Sequence, residues 1–221
     1  MDRIELILVV CVISVISVIY LDNVFAEEYY TYYNRPFEKA PIVCITKPPP
    51  IVMNFTSKYE LIKSVDEWET KLNNYTNSKD YSFQLFLPNT QEQYARCTVK
   101  IVFSNDFIGG GSGVTVGQAS CNDIGIKQCT IIIGTNHLSV KAPVTNTIKH
   151  EFGHIIGLGH RQWDTIFDMA RVVKSNDVMI YQNGLNRWIL EDDLNALIAF
   201  YGDDGFGVHY PKYHFKYVIP N

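Results

Sequence analysis

The string His150-Glu151-Phe152-Gly153-His154-Ile155-Ile156-Gly157-Leu158-Gly159-His160 gathers three imidazoles and a carboxylate among three glycines. In a helix, residues four apart share a face, so His150 and His154 can aim their rings at one point. Two donors do not complete a catalytic zinc site, which takes three protein ligands and leaves a position for water. Gly157 makes a third donor possible. Lacking a Cβ, it tolerates positive φ, so the chain can leave the helix sharply and return His160 toward the same ion. Glu151 follows the first histidine directly and so points to the flank of the metal, where a carboxylate can act as general base toward water activated by zinc. Peptide hydrolysis uses that acidified water together with a polarised carbonyl. It needs no serine or cysteine nucleophile, and the Gly-x-Ser-x-Gly elbow that would present a serine is absent. A chance match to this spacing in a chain of this length is expected on the order of once in 10⁵ sequences. His137, His209 and His214 have no such companions and read as ordinary core or surface histidines.

The elements that must position these residues are legible as periodicities. Val144, Ile148, Phe152 and Ile155 form one helical stripe, which makes the histidine-bearing segment an amphipathic helix. Upstream, Ile42–Ile45 reads as a strand stopped by Pro48-Pro49-Pro50. Ser57-Lys58-Tyr59-Glu60 is a capping box leading into a helix with Leu61, Val65, Trp68 and Leu72 on one face, ending near Asn73-Asn74. Alternation predicts strands around Phe83–Leu87 and Val99–Phe103, and further strands at Val114–Ser120 and Thr130–Ile133. Gly109–Gly113 lacks the Gly-Lys-Ser/Thr ending of a phosphate loop and reads as a connection. Leu190, Leu194, Leu197 and Tyr201 predict a last helix, with Gly202 at its end. This order implies an α/β (α+β) layered domain.

The chain has 221 residues, 47% hydrophobic and 19% charged, enough for one domain with a small appendage. A formal charge of −4, without a basic run, argues against nucleic-acid binding. Residues 6–21 are almost uninterruptedly apolar and are followed by Val24-Phe25-Ala26, the layout of a secretory signal cleaved after Ala26. An uncleaved membrane anchor formed by 6–21 is the alternative. Removal of residues 1–26 leaves Cys44, Cys97, Cys121 and Cys129, an even set in an oxidising compartment. Four cysteines allow three pairings. Cys121 with Cys129 across a hairpin-like turn is the easiest closure, and Cys44 with Cys97 would follow. Cys44 as a thiolate capping the zinc is the rival use of that residue. Asn54-Phe55-Thr56 and Asn74-Tyr75-Thr76 are sequons, meaningful if the host glycosylates secreted chains.

HEFGHIIGLGH resembles the zinc signature of the metzincin metalloproteases. The resemblance implies a methionine turn beneath the metal. Asn176-Asp177-Val178-Met179-Ile180-Tyr181 looks like it, and Met169 is the competing candidate. Tyr181, two positions after Met179, is similar to the zinc-proximal tyrosine of astacin-like and serralysin-like members, and a packing tyrosine is its plain alternative. The stretch from Trp188 to Gly202 is similar to the closing helix of matrixin-type members. Arg161, after the third histidine, departs from the best-known subfamilies. The resemblance also implies a twisted, mostly parallel five-stranded sheet, a backing helix, an active-site helix and a small C-terminal subdomain ending in a helix. The edge strand of that sheet, placed near Val114–Ser120, would pair with extended substrate.

These observations lead to an expected organisation: signal peptide 1–26, loose N-terminal extension 27–41, catalytic domain 42–202 and C-terminal tail 203–221. The expected function is that of a secreted, monomeric zinc endopeptidase acting on peptide or protein substrates. One catalytic Zn²⁺ is held by His150, His154 and His160, with Glu151 as base, Tyr181 assisting and Met179 in the turn. A zinc-bearing peptide-binding module without turnover is the alternative, and membrane contact is expected only if residues 6–21 are retained.

Overall fold

The computed structural model describes residues 28–32, 36–105, 117–122, 127–136, 144–163, 177–180, 187–202, 205–207 and 216–218. Its strands are β1 (Glu28–Tyr32), β2 (Ile42–Ile45), β3 (Gln84–Phe86), β4 (Val99–Ser104), β5 (Gly117–Asn122), β6 (Gln128–Gly134), β7 (Leu158–Trp163) and β8 (Lys216–Val218). Its helices are α1 (Pro50–Met53), α2 (Lys58–Thr76), α3 (Gln91–Ala95), α4 (Val144–Ile155) and α5 (Glu191–Tyr201). The expected signal segment 1–26 and the glycine-rich stretch 109–113 lie outside the described residues. Among those described, no helix is long and apolar enough to cross a membrane.

Five strands form one sheet in the order β3-β2-β4-β6-β5. β2 runs parallel to β3 and β4, β4 runs parallel to β6, and only the edge strand β5 is antiparallel to its neighbour. This is the mixed α/β, mostly parallel plan that the metzincin resemblance implies. Val43, Val99, Ile101, Ile131 and Ile133 are fully buried, as central parallel strands require. β3, whose Gln84 and Phe86 are exposed, closes the opposite edge.

The capping box starts α2 as expected: Ser57 Oγ accepts the Glu60 N–H at 3.2 Å, and Glu60 Oε2 accepts the Ser57 N–H at 2.8 Å. The helix runs two residues beyond its expected end and stops at Asn77, which takes the left-handed conformation (φ 53°) that asparagine tolerates. Leu61, Val65, Trp68 and Leu72 are all buried. The α2 helix packs along α4, which also lies against β5 and β6. The Trp68 indole N–H donates to the Lys149 carbonyl at 3.0 Å, and Lys149 pairs with Glu67 at 2.7 Å. The whole α4 stripe, Val144, Ile148, Phe152 and Ile155, is buried.

Two disulfides are formed, Cys44–Cys97 and Cys121–Cys129. Cys121 stands directly opposite Cys129 in the β5–β6 ladder, so the bridge staples the edge strand to the sheet. Cys44 is committed to its disulfide and does not serve as a thiolate for a metal.

Within the expected N-terminal extension 27–41 and C-terminal tail 203–221, the structure contains the strands β1 and β8. β1 pairs antiparallel with β7 on one side and with β8 on the other, giving a second sheet in the order β7-β1-β8. Glu-Tyr-Tyr-Thr-Tyr is rich in residues that favour strands but lacks the alternation that marks a half-buried one. Both partners are distant in sequence, so no local pattern announces the pairing.

Candidate active site

The α4 helix directs two histidines at a common point. His150 Nε2 and His154 Nε2 lie 3.1 Å apart, and His160 Nε2 lies 3.2 Å from His150 Nε2. The three donor atoms fall within 4.8 Å of one another. The sharp exit expected at Gly157 is present: its φ is +124°, and a Cβ there would meet the Phe200 ring at 2.4 Å. An L-residue is therefore opposed twice, by backbone strain and by collision. The chain then enters β7, whose third residue is His160.

The outer nitrogens of the two helical rings are tied to main-chain carbonyls. His150 Nδ1–H donates to Val178 O and His154 Nδ1–H donates to Leu158 O, each at 2.6 Å. Carbonyls only accept, so Nδ1 carries the proton in both rings, and in the neutral form each Nε2 lone pair faces the shared point. Burial lowers the pKa of His150; it lowers that of His154 well below its ordinary value, reinforced by repulsion from His150 and His160. His160 is lowered to about 4, again by burial and then by His150. Neutral imidazoles with converging lone pairs suit a cation. Three nitrogens on a tetrahedral zinc at about 2.0–2.1 Å stand about 3.3 Å apart, close to the spacing observed. The donor set therefore fits zinc.

Glu151 sits on α4 beside this point, buried to 8% exposure. Burial raises its pKa to about 7, opposed by the Ala119 N–H, which donates to the carboxylate from β5. The edge strand approaches closely because Gly117 has no side chain; a Cβ there would lie 2.5 Å from Thr147 Cγ2 and 3.0 Å from Glu151 Oε1.

A turn at 177–180 closes the floor. Met179 is fully buried, and its Sδ occupies the space that a Cβ on Gly153 would claim, 2.3 Å away. Met179 thus underlies the histidine-bearing helix. The turn touches both histidine-bearing segments: Val178 O receives His150, and Met179 O accepts the Arg161 N–H at 3.1 Å. Tyr181 and the rival Met169 lie outside the described residues. Sequence reasoning missed Gly153, Gly117, Trp68 and Asp177 as supports of the site. Gly153 alone carried a signal, being a helix-weakening residue in mid-helix between two functional neighbours.

Residues 27–167, more than half of the chain, match the sequence pattern of the family described as Peptidase M57, dual-action HEIGH metallo-peptidase. The chain belongs to this family. Its HEIGH string is represented by His150-Glu151-Phe152-Gly153-His154, with phenylalanine at the third position. No curated protein matches the chain. This M57 member is accordingly a zinc metallopeptidase, a hydrolase whose substrates are peptides. The match begins at residue 27, next to the expected cleavage point, and ends at 167, before the methionine-bearing turn and α5.

Proposed function

We propose that this M57 metallopeptidase is a secreted endopeptidase of metzincin type, with His150, His154 and His160 as zinc ligands and Glu151 as general base. The observation that carries the reading is the convergence of three Nε2 atoms, two of them in rings oriented by main-chain carbonyls. When bound, zinc supplies positive charge that acidifies water and offsets the negative charge developing on the substrate carbonyl oxygen. The protein's own groups do the rest. An extended peptide lies along the edge strand β5, whose outer face borders Glu151. The carboxylate takes a proton from the attacking water and returns it to the departing amine, and a pKa near 7 suits both transfers. The Ala119 N–H holds the carboxylate in place between them. Met179 keeps α4 and the turn in register, and Tyr181 assists at the oxyanion.

The α5 helix following the turn supports a matrixin-like relationship. Secretion after cleavage behind Ala26 rests on the apolar segment 6–21 and on two disulfides, which suit an oxidising compartment. The reading includes a monomer with a single zinc.

The test is an assay on casein or a quenched peptide library with wild type, Glu151→Gln and a chelator. Wild type cleaves, chelation abolishes cleavage and added zinc restores it. Glu151→Gln keeps one zinc but loses about 10²–10⁴ in kcat. Wild type that holds one zinc yet cleaves nothing the variant spares would replace this reading with a peptide-binding module.

A further inference from the structure

Arg161 directly follows the third histidine, and its guanidinium is buried in a cluster with two carboxylates. Nη1 lies 2.9 Å from Asp177 Oδ2, and Nη2 lies 2.9 Å from Asp192 Oδ2. Asp177 belongs to the turn beneath the histidines and is fully buried, whereas Asp192 opens α5 and is partly exposed. The other Asp177 oxygen, Oδ1, accepts the Met179 N–H at 2.7 Å, and Met179 returns its carbonyl to the Arg161 N–H at 3.1 Å. Between these two residues, Val178 presents the carbonyl that receives His150 Nδ1 at 2.6 Å. A continuous set of contacts therefore runs from α5 through Arg161 and Asp177 to the acceptor that orients His150, while the main chain of Arg161 adjoins His160.

We infer that Arg161 is a positioning residue that joins the third-ligand strand, the turn and α5 into one unit and thereby sets the geometry in which His150 and His160 meet the metal. The inference rests on the ligand assignment proposed above. Arginine suits the task because its planar fork serves two carboxylates at once, whereas a lysine ammonium is a point charge on a flexible stem. Removing it leaves Asp177 as a buried carboxylate without that cation, a state that favours rearrangement of the turn. Arg161 lies within the span that matches the family, whereas both of its carboxylate partners, Asp177 and Asp192, lie beyond it.

The test measures zinc affinity of the full chain against a competing chromophoric chelator, together with the absorption spectrum of the cobalt-loaded protein and the stability of the metal-free form. Arg161→Met is expected to weaken zinc about 10- to 100-fold, the range for groups that orient metal ligands, and to shift the cobalt bands. Asp192→Asn, which weakens only the arm to α5, is expected to produce a smaller change of the same kind. Val43→Ala, in the core of β2, is expected to lower stability while leaving zinc affinity and the cobalt spectrum unchanged. Wild-type affinity and spectrum in Arg161→Met would overturn the inference, as would an equal loss of zinc in Val43→Ala. Should Arg161→Met fail to fold, Arg161→Lys decides: weaker zinc and a shifted spectrum support the role, and wild-type behaviour overturns it. A wild-type chain that binds no zinc overturns the ligand assignment and this role together, whereas normal binding by both wild type and variant overturns the role of Arg161 alone.

Discussion

The two halves of the histidine cluster are built by different physics. His150, Glu151 and His154 ride on α4, where helical spacing fixes their directions and an apolar stripe fixes the helix against α2 and the sheet. His160 arrives on β7 after a reversal at positive φ, and its surroundings are held by a turn, a buried ion pair and a second sheet. The pattern that aims the first half lies within a dozen residues of sequence, although α2 and the main sheet hold the helix in place. The second depends on partners from both ends of the chain. Changes around Glu151 on the helical side should therefore alter catalysis with the metal retained, and changes on the returning side should alter metal binding itself.

Gly157→Ala attacks the returning half hardest. Positive φ and the approach to Phe200 act together, so a loss of about 2–4 kcal/mol in stability and at least tenfold weaker zinc are expected by urea unfolding and chelator competition. Zinc binding at the wild-type level would show that the reversal at residue 157 does not set the third ligand.

The pH dependence of the metal-free protein separates the halves by sign. His160 has a folded pKa of about 4 against an ordinary 6.5, so its contribution to stability is fully present above pH 6.5 and is lost as pH falls through 4. Glu151 is shifted the other way, from 4.5 to about 7, so its contribution is present below pH 4.5 and is lost as pH rises through 7. Urea midpoints measured from pH 4 to 8 are expected to show Glu151→Gln gaining on wild type as pH rises through this range. A parallel pair of profiles would mean that the Glu151 carboxylate is not buried as described.

Gly117→Ala should produce the smallest effect, confined to the helical half. The added methyl presses on Thr147 and on the Glu151 side chain, and about a tenfold lower kcat is expected with zinc affinity unchanged. Steady-state kinetics alongside chelator competition separates this result from a loss of metal, which would erase the contrast between the halves.

The same division explains what could be read from sequence. The α4 stripe, the α2 capping box and its face, the strands of the main sheet and the reversal at Gly157 are all local patterns, and the structure contains them. β1 was hidden because five residues with no alternation become a strand only when Leu158–Trp163 and Lys216–Val218 flank them. The use of Gly153 depends on Met179 filling the gap, and the use of Asp177 depends on Arg161 reaching it. Neither relation has a period or a spacing. Arg161 stood out as a departure from a familiar pattern, but only the positions of Asp177 and Asp192 give it a task.

X-ray absorption at the zinc edge of the purified full chain addresses the cluster most directly. One zinc per chain is expected, with three imidazole nitrogens at about 2.0–2.1 Å and a further light-atom ligand from solvent. A zinc shell with fewer than three imidazoles, or one containing sulfur, would contradict the convergence of His150, His154 and His160 on a single open metal.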